Sequence, residues 1–164
     1  MKKTLKLKNI IISAVVILGG MLLFTPKALA ATKTVCASGC DYTTVQAAID
    51  AATTGDTITI NVAGSYAGFS STGTKNLTIT SASGLATLPV ITSAVTLSSS
   101  GTTIVTALNI SGTTVTATAG TVTLLNNKLG SLTASGTAAV DAKGNYWNSS
   151  SPDFDSLITI SDTA

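Results

Sequence analysis

The sequence contains no arginine, no histidine and no glutamate among its 164 residues. Its charged side chains are nine lysines and seven aspartates, which give a formal net charge of +2. A protein that binds nucleic acid needs basic side chains clustered on one face, but five of the nine lysines lie between Lys2 and Lys27. Histidine and glutamate are also common general bases and metal ligands. We therefore predict no nucleic-acid partner, no cofactor and no bound metal.

Aromatic residues make up only 4% of the chain and proline occurs three times, whereas threonine, serine, alanine, valine and glycine are abundant. This composition fits either a disordered Ser/Thr-rich stalk or an all-β protein with short strands. Stalks lack regularly spaced β-branched residues and usually contain more proline. Because the apolar residues here are regularly placed, we predict an ordered chain.

Residues 1–30 have the organisation of a secretory signal peptide. A basic head and an apolar run from Ile10 to Phe24 precede a small-residue cleavage motif formed by Ala28 and Ala30. A transmembrane anchor is the alternative, but the apolar run is short for a span and includes two glycines. We predict cleavage after Ala30 and a secreted or cell-surface chain without stable membrane insertion. That chain would carry four lysines against seven aspartates.

Residues 31–55 are predicted to form an N-terminal cap, beginning with the only two cysteines, Cys36 and Cys40. An even number of cysteines in an exported chain favours a disulfide that closes a small loop. Two free thiols or a redox pair are the alternatives, although the spacing is not Cys-x-x-Cys. We predict the Cys36–Cys40 bridge.

A short capping α-helix is predicted to follow the cysteines. Thr43 and Gln46 have the spacing of a capping box, and Gly55 stands where a left-handed residue would end the helix. Between them an apolar stripe recurs at helical spacing, formed by Val45, Ala48, Ile49 and Ala52. The stripe is expected to cover the open end of a hydrophobic core.

Beyond the cap, the chain repeats itself every 18 residues. Apolar residues recur at this step (Ile104, Val122, Val140), and so do asparagines (Asn109, Asn127, Asn145). Within each repeat the apolar residues alternate with polar ones, as in Ile58, Ile60 and Val62, and glycines fall between the alternating pieces. A fixed period of this size is typical of a solenoid. We predict parallel strands in a three-sided coil over residues 56–148, with a C-terminal cap or tail over 149–164; a β-sandwich is the alternative fold.

The asparagine positions are predicted to form a ladder at one corner of the coil. Amides on successive parallel strands lie about 4.8 Å apart and can bond along the stack, and asparagine tolerates the left-handed backbone of a sharp corner. Neither role is catalytic. We predict Asn109, Asn127 and Asn145 as this corner ladder.

Two segments carry a resemblance to a known family. The stretch VCASGCDYTTVQAAIDAATTGDTITI (Val35 to Ile60) resembles the N-terminal cap and first strand of bacterial right-handed parallel β-helix proteins, the pectin-lyase-like superfamily. Gly144-Asn145-Tyr146-Trp147 with Ser151-Pro152-Asp153 resembles an element near the end of such helices, although Asn148 stands where glycine is usual. The resemblance implies an all-β, right-handed, single-stranded parallel β-helix of about five coils with an N-terminal capping α-helix. Polysaccharide lyases, hydrolases and surface adhesins share this fold, so it implies architecture more than activity.

Threonine dominates the positions that are predicted to face outward. If Ile58 aligns with Leu77, the outward side chains form two columns: Thr59, Thr78, Thr96 and Thr114 in one, and Asn61, Thr80, Ser98 and Thr116 in the other. This array is similar to the Thr-x-Thr faces of β-solenoid ice-binding proteins, although threonine is also a favoured outward residue in any strand. The predicted binding face consists of Thr59, Thr78, Thr80, Thr96, Ser98, Thr114 and Thr116.

Few residues suggest catalysis. Asp141 and Lys143 alternate onto one face and could form an acid–base pair, but an exposed ion pair is the simpler interpretation. Asp153 and Asp155 flank Phe154 and could join a Ca²⁺ site, although a polar loop needs no ion. We predict a non-catalytic, adhesin-like binding or scaffold protein with an extracellular polysaccharide or cell-surface component as partner. A polysaccharide-active enzyme, or a fragment of one, and an ice-binding protein are the alternatives.

Overall fold

The structure is a computed structural model that describes residues 29–147 and 158–161. Ala28 and the rest of the predicted signal peptide before it, and the predicted C-terminal residues Asn148, Asp153, Phe154 and Asp155, lie outside the described residues. The described chain is mostly β, with one short helix, α1 (Val45–Ala51). The strands are β1 (Thr32–Val35), β2 (Thr57–Ile60), β3 (Ser65–Tyr66), β4 (Ser70–Ser71), β5 (Leu77–Ser81), β6 (Val90–Ile91), β7 (Val95–Leu97), β8 (Thr102–Thr106), β9 (Asn109–Ala117), β10 (Thr121–Leu125), β11 (Lys128–Ser135), β12 (Ala139–Asp141), β13 (Tyr146–Trp147) and β14 (Ile158–Ser161).

All strand pairings in the described chain are parallel, and they form two sheets. The first sheet has the order β1-β2-β5-β8-β10-β12, and the second the order β13-β11-β9-β6-β3 with β4, β7 and β14 attached. The chain visits the two sheets alternately. The long strands β9 and β11 pair at their beginnings with β6 and β13 and at their ends with β7 and β14.

Gly130 lies where β11 changes partners. The register between β9 and β11 shifts between Leu129 and Ser131, and a Cβ atom at Gly130 would lie 2.5 Å from the carbonyl oxygen of Ser111. A residue with a side chain would therefore push the two strands apart at this point, so glycine is required by close backbone approach.

The core lies between the sheets and is built from the alternation that the sequence predicts. In β2, Ile58 and Ile60 are fully buried while the threonines beside them are half-buried. The same alternation holds in β5 and β10. Val62 departs from it: it was predicted to face inward with Ile58 and Ile60, but it is 52% exposed because β2 ends at Ile60.

The repeat spacing is not constant along the chain. Val122 pairs with Val140 as the period predicts, but on its other side it pairs with Thr103, one position before Ile104. The prediction that Ile104 aligns with Val122 is therefore wrong. Because Thr103 and Val105 occupy the inward positions of β8, Ile104 is half-buried.

A row of left-handed residues forms one corner of the fold. Ala107, Asn126 and Gly144 have φ angles of 58°, 56° and 71°. Each of them lies in the short connection between a strand of the first sheet and the next strand of the second. The left-handed asparagine is therefore Asn126, and not Asn127 as the ladder prediction implied.

Asn127 and Asn145 form a ladder directly after this corner. Asn127 is 1% exposed, and both its backbone N–H and its amide nitrogen donate to Oδ1 of Asn145, at 2.9 and 3.1 Å. Its side chain also accepts from the N–H of Leu108 at 3.0 Å and donates to the carbonyl of Val105 at 2.8 Å.

Asn109 is not part of this ladder, so its predicted membership is wrong. It pairs with Lys128 in the strand register, and Leu108 follows the corner residue Ala107 as Asn127 follows Asn126. The Oδ1 atom of Asn109 accepts from the backbone and the hydroxyl of Ser111 instead. The shift arises because, at the beginning of these strands, the step from β9 to β11 is one residue longer than the predicted period.

The N-terminal segment contains the predicted helix and disulfide, with differences in detail. Cys36 and Cys40 are joined by a disulfide. The helix is capped by Thr44, whose side chain accepts from the N–H of Ala47 at 3.2 Å, and not by Thr43. Gln46 is used differently from a capping box: it accepts from Ser70 N at 2.7 Å and so ties the helix to β4.

The end of the helix also differs from the prediction. The last helical residue is Ala51, and Gly55, with φ 95°, lies in the turn that follows rather than at the helix end. The segment predicted as a cap also contains β1, which pairs along its whole length with β2. The helix buries Val45, Ala48 and Ile49 against this end of the core.

Candidate functional site

The predicted threonine face is divided between the two sheets. Thr59, Thr78 and Thr80 lie on the first sheet, whereas Thr96, Ser98, Thr114 and Thr116 lie on or beside strands of the second. The single face is therefore a wrong prediction. Its alignment of Ile58 with Leu77 fails because Ile58 pairs with Ile79, two positions further along the chain.

The true register creates a different threonine array on the first sheet. One column consists of Thr32, Thr57 and Thr78, and the other of Thr34, Thr59 and Thr80. On the next strand the first column continues with Ile104, which interrupts the hydroxyl pattern. The hydroxyl of Thr34 is already occupied, because it donates to Asp41 at 2.8 Å and accepts from the backbone of the same residue.

The threonines of the second sheet form their own column. Thr96 pairs with Ser70 on one side and with Thr116 on the other, and Thr116 pairs with Thr133. Beside this column, the hydroxyls of Thr114 and Ser131 lie 2.7 Å apart. This hydroxyl pair is satisfied within the sheet, so the surface is polar without presenting an obvious reactive group.

The most varied chemistry on the second sheet lies in a column that includes Asn109. The strand register places five side chains in line across five strands: Ser65, Val90, Asn109, Lys128 and Tyr146. We call this set the Tyr146 column. Successive members are separated by one strand spacing, about 4.8 Å. No other column of the described residues combines an amide, an ammonium group and an aromatic ring.

The Tyr146 column is accessible. Tyr146 is 60% exposed, and the Nζ atom of Lys128 lies 5.7 Å from the centroid of its ring, within the range of a cation–π contact. A cavity of about 710 Å³ adjoins the other end of the column and is lined by Ser65, Val90, Asn109 and Lys128 together with residues of the neighbouring loops. Four of the five members of the column therefore line this groove, and Tyr146 lies one strand beyond it.

Sequence reasoning missed this column, although a signal was present. Lys128 and Tyr146 directly follow Asn127 and Asn145, so the two pairs have the same spacing. The membership of Asn109 had no such signal, because it depends on the longer step between β9 and β11.

Asp141 and Lys143, the candidate acid–base pair, are in contact through the backbone of Lys143 and not through its ammonium group. Oδ1 of Asp141 accepts from the backbone N–H of Lys143 at 3.1 Å, and the strand partner of Asp141 is Thr123. Within the part of the chain that the structure describes, no group of three or more acidic, cysteine or histidine side chains could hold a metal ion.

A second cavity, of about 580 Å³, lies at the last strands. Its walls include Leu132, Val140, Trp147 and Ile158, which belong to the core or pack against it. Asp141, Lys143 and Asn145 also line this cavity, at the last described strands.

Asp56 is a buried charge that the sequence analysis did not select. It is 1% exposed and precedes β2. Its Oδ1 accepts from Ala31 N and its Oδ2 from Thr53 N, both at 2.8 Å. Lys33 Nζ lies 3.7 Å from Oδ2. Burial acts to raise the pKa of this carboxyl, but the hydrogen bonds from Thr53 and Ala31 and the charge of Lys33 outweigh it, so the pKa is lowered.

Comparison with protein-family models, with curated proteins and with solved structures finds no match for this chain. Among residues 29–147 and 158–161, no helix is long and apolar enough to cross a membrane.

Proposed function

We propose that the chain is an exported, right-handed parallel β-helix of about five coils whose surface binds an extracellular polysaccharide without cleaving it. The fold is supported by the alternation of the chain between two all-parallel sheets. Successive strands of the first sheet are connected through the helix or through strands of the second sheet. Crossovers between parallel strands are right-handed in nearly all proteins.

The observation that carries the binding function is the Tyr146 column. An exposed tyrosine ring offers an apolar face for stacking and a hydroxyl for hydrogen bonding. Asn109 and Lys128 add a carboxamide and an ammonium group on the next two strands. Rigid parallel strands hold these groups in line, so a linear polymer can contact several of them at once.

Lys128 favours a polysaccharide that carries carboxylate groups. It is the charged residue among those lining the groove, and its ammonium group lies beside the tyrosine ring. The ring would stack on one sugar while the ammonium group pairs with an acidic substituent of the same or the next sugar. The non-catalytic assignment is supported by the separation of Asp141 from any carboxylate on its neighbouring strand, where Thr123 lies.

Binding of the exported protein to polygalacturonate and to a neutral glucan, measured by affinity electrophoresis or calorimetry, tests the proposal. Tyr146→Ala should weaken binding about tenfold, because an aromatic contact contributes about 0.5–1.5 kcal/mol and about 1.4 kcal/mol is tenfold in affinity. Tyr146→Phe, which keeps the ring, should bind nearly as well as the unchanged chain.

Lys128→Gln should weaken binding to the acidic polymer only, and added salt should do the same. Lys143→Gln is the matched control, because Lys143 is exposed and is not among the residues that line the groove. Equal effects of the two lysine variants would contradict the site. Release of unsaturated product from polygalacturonate that disappears in Asp141→Ala would contradict the non-catalytic assignment.

A second candidate function, ice binding, is supported by the threonine array of the first sheet. Thr32 and Thr34, Thr57 and Thr59, and Thr78 and Thr80 repeat the Thr-x-Thr motif on three adjacent strands. The array covers only about 10 Å across the strands, and Ile104 ends one of its columns. Thermal hysteresis that is lost in Thr59→Val or Thr78→Tyr but kept in Tyr146→Ala would favour this function over polysaccharide binding.

A further inference from the structure

The carboxylate of Asp56 has an unusual partner at the start of the first sheet. Its Oδ1 atom accepts from the backbone nitrogen of Ala31 at 2.8 Å, and the carbonyl of Ala31 accepts from the N–H of Thr57 at 2.8 Å. Ala31 is therefore held at both its nitrogen and its oxygen. It is also the residue that follows the predicted signal-peptide cleavage motif.

Among the described residues, Asp56 has one ion pair with a side chain, that of Lys33. A carboxylate that is 1% exposed needs both hydrogen bonds and a compensating charge. Lys33 lies 3.7 Å from Oδ2 and is itself 20% exposed, so it forms a loose ion pair. Lys75, the next lysine along the chain, donates instead to the carbonyls of Ile49 and Asp50. The Oδ1 atom, in contrast, has an uncharged amide as its partner in the unprocessed chain.

We propose that Asp56 is a binding site for the α-ammonium group that signal-peptide cleavage creates on Ala31. A signal peptidase hydrolyses the bond between the carbonyl carbon of Ala30 and the nitrogen of Ala31. One water is consumed: its oxygen becomes part of the Ala30 carboxylate, and both of its protons end on the nitrogen of Ala31, which becomes an ammonium group. The existing hydrogen bond to Oδ1 then becomes a charge-assisted one without movement of the chain.

With this site, cleavage of the signal peptide would stabilise the folded chain. Before cleavage, Asp56 accepts from a neutral amide, whereas after cleavage it faces two cations, the ammonium group of Ala31 and Lys33. Cleavage one residue earlier or later would move the charge away from Oδ1 by about the length of one residue, about 3.5 Å. The structure therefore favours one cleavage position over its neighbours.

The pH dependence of the pair has a defined sign. An α-amino group has an ordinary pKa of about 7.7–8.0, and a neighbouring carboxylate raises it. A raised pKa contributes stability that is fully present below the ordinary value and is lost as the pH rises through the raised value. Lys33 lies on the adjoining strand β1, and its positive charge opposes part of this rise.

The direct test measures the α-amine of the protein that has been exported with its own leader. Mass spectrometry should place the N-terminus at Ala31, and NMR titration of the Ala31 methyl group should give an α-amine pKa about one unit above the ordinary value of about 7.7–8.0. Asp56→Asn should return this pKa to the ordinary range. Asp41→Asn is the matched control, because Asp41 is a nearby carboxylate that bonds to Thr34 and not to Ala31.

A second variant keeps the test independent of whether Asp56→Asn folds. A glycine inserted between Ala30 and Ala31 restores the neutral amide at Ala31 and moves the new ammonium group outward by one residue. Its melting temperature at pH 7 should be lower than that of the unchanged chain by about 4 °C, with the difference disappearing above the raised pKa. An ordinary α-amine pKa in the unchanged chain, an N-terminus elsewhere, or equal melting temperatures would each overturn the proposal. Polysaccharide binding bears on none of these results.

Discussion

Replacement of Asn127 by alanine is expected to cost about 2–6 kcal/mol of the free energy of unfolding, since it leaves two buried polar groups unpaired and each costs about 1–3 kcal/mol. The Asn127 side chain satisfies the N–H of Leu108 and the carbonyl of Val105, and both of these residues are at most 1% exposed. Leaving these two groups unpaired would remove a large part of a typical free energy of unfolding of about 5–15 kcal/mol.

Asn109→Ala is the matched control for this experiment. Asn109 was predicted to belong to the same ladder, but its amide oxygen bonds to Ser111 at the half-buried start of β9. Water can replace that partner, so the cost should be below about 1 kcal/mol. Urea denaturation followed by far-UV circular dichroism measures both values.

The coupling between Asn127 and Asn145 can be measured separately. The two side chains share a hydrogen bond of 3.1 Å, so a double-mutant cycle should give a coupling free energy of about 0.5–3 kcal/mol. Equal costs of Asn127→Ala and Asn109→Ala, or no coupling between Asn127 and Asn145, would refute the two-membered ladder.

Three further predictions concern the corner, the core and the buried carboxylate. Ala107→Gly should raise the melting temperature slightly, because it removes a left-handed alanine that costs about 1–2 kcal/mol, and a lower melting temperature would count against this. Val122→Asp should prevent folding, since it places an unpaired charge at a residue that is 1% exposed, whereas Thr123→Asn on the half-exposed face should keep the fold, as circular dichroism can show. The pKa values of Asp41 and Asp56 are lowered in the folded protein. The stability that these carboxylates contribute is therefore present above the pKa of an unfolded aspartate, about 3.9, and is lost as the pH falls through the folded values. Asp56→Asn should flatten this acid loss in urea denaturation curves, and an unchanged pH profile would show that other groups cause it.

Much of the local structure could be predicted from the sequence alone. The alternation in β2 and β10 depends only on the two-residue period of a strand, and Ile58, Ile60, Val122 and Leu124 are buried as that period requires. The disulfide was predictable because the chain contains one closely spaced pair of cysteines. The helix was predictable from its apolar stripe, although its N-cap was misplaced by one residue.

The two predicted sites depended on alignment between distant residues, and there the sequence was insufficient. The 18-residue period placed Asn109 in the ladder, and a separate alignment matched Ile58 with Leu77. In the structure, Asn109 pairs with Lys128, one position beyond Asn127, and Ile58 pairs with Ile79, two positions beyond Leu77. The Tyr146 column and the true threonine array both follow from these longer steps.

The sequence by itself determined which residues of β2 and β10 face the core, and that the chain forms short strands with turns between them. Only the tertiary structure decided which strand residues become neighbours, and hence that Lys128 lies between Asn109 and Tyr146 and that Asp56 meets Ala31. The physical reason is that alternation is a local property of the backbone. The register between strands depends on the length and path of each loop and on the packing of the whole core. It therefore cannot be predicted from a short stretch of sequence.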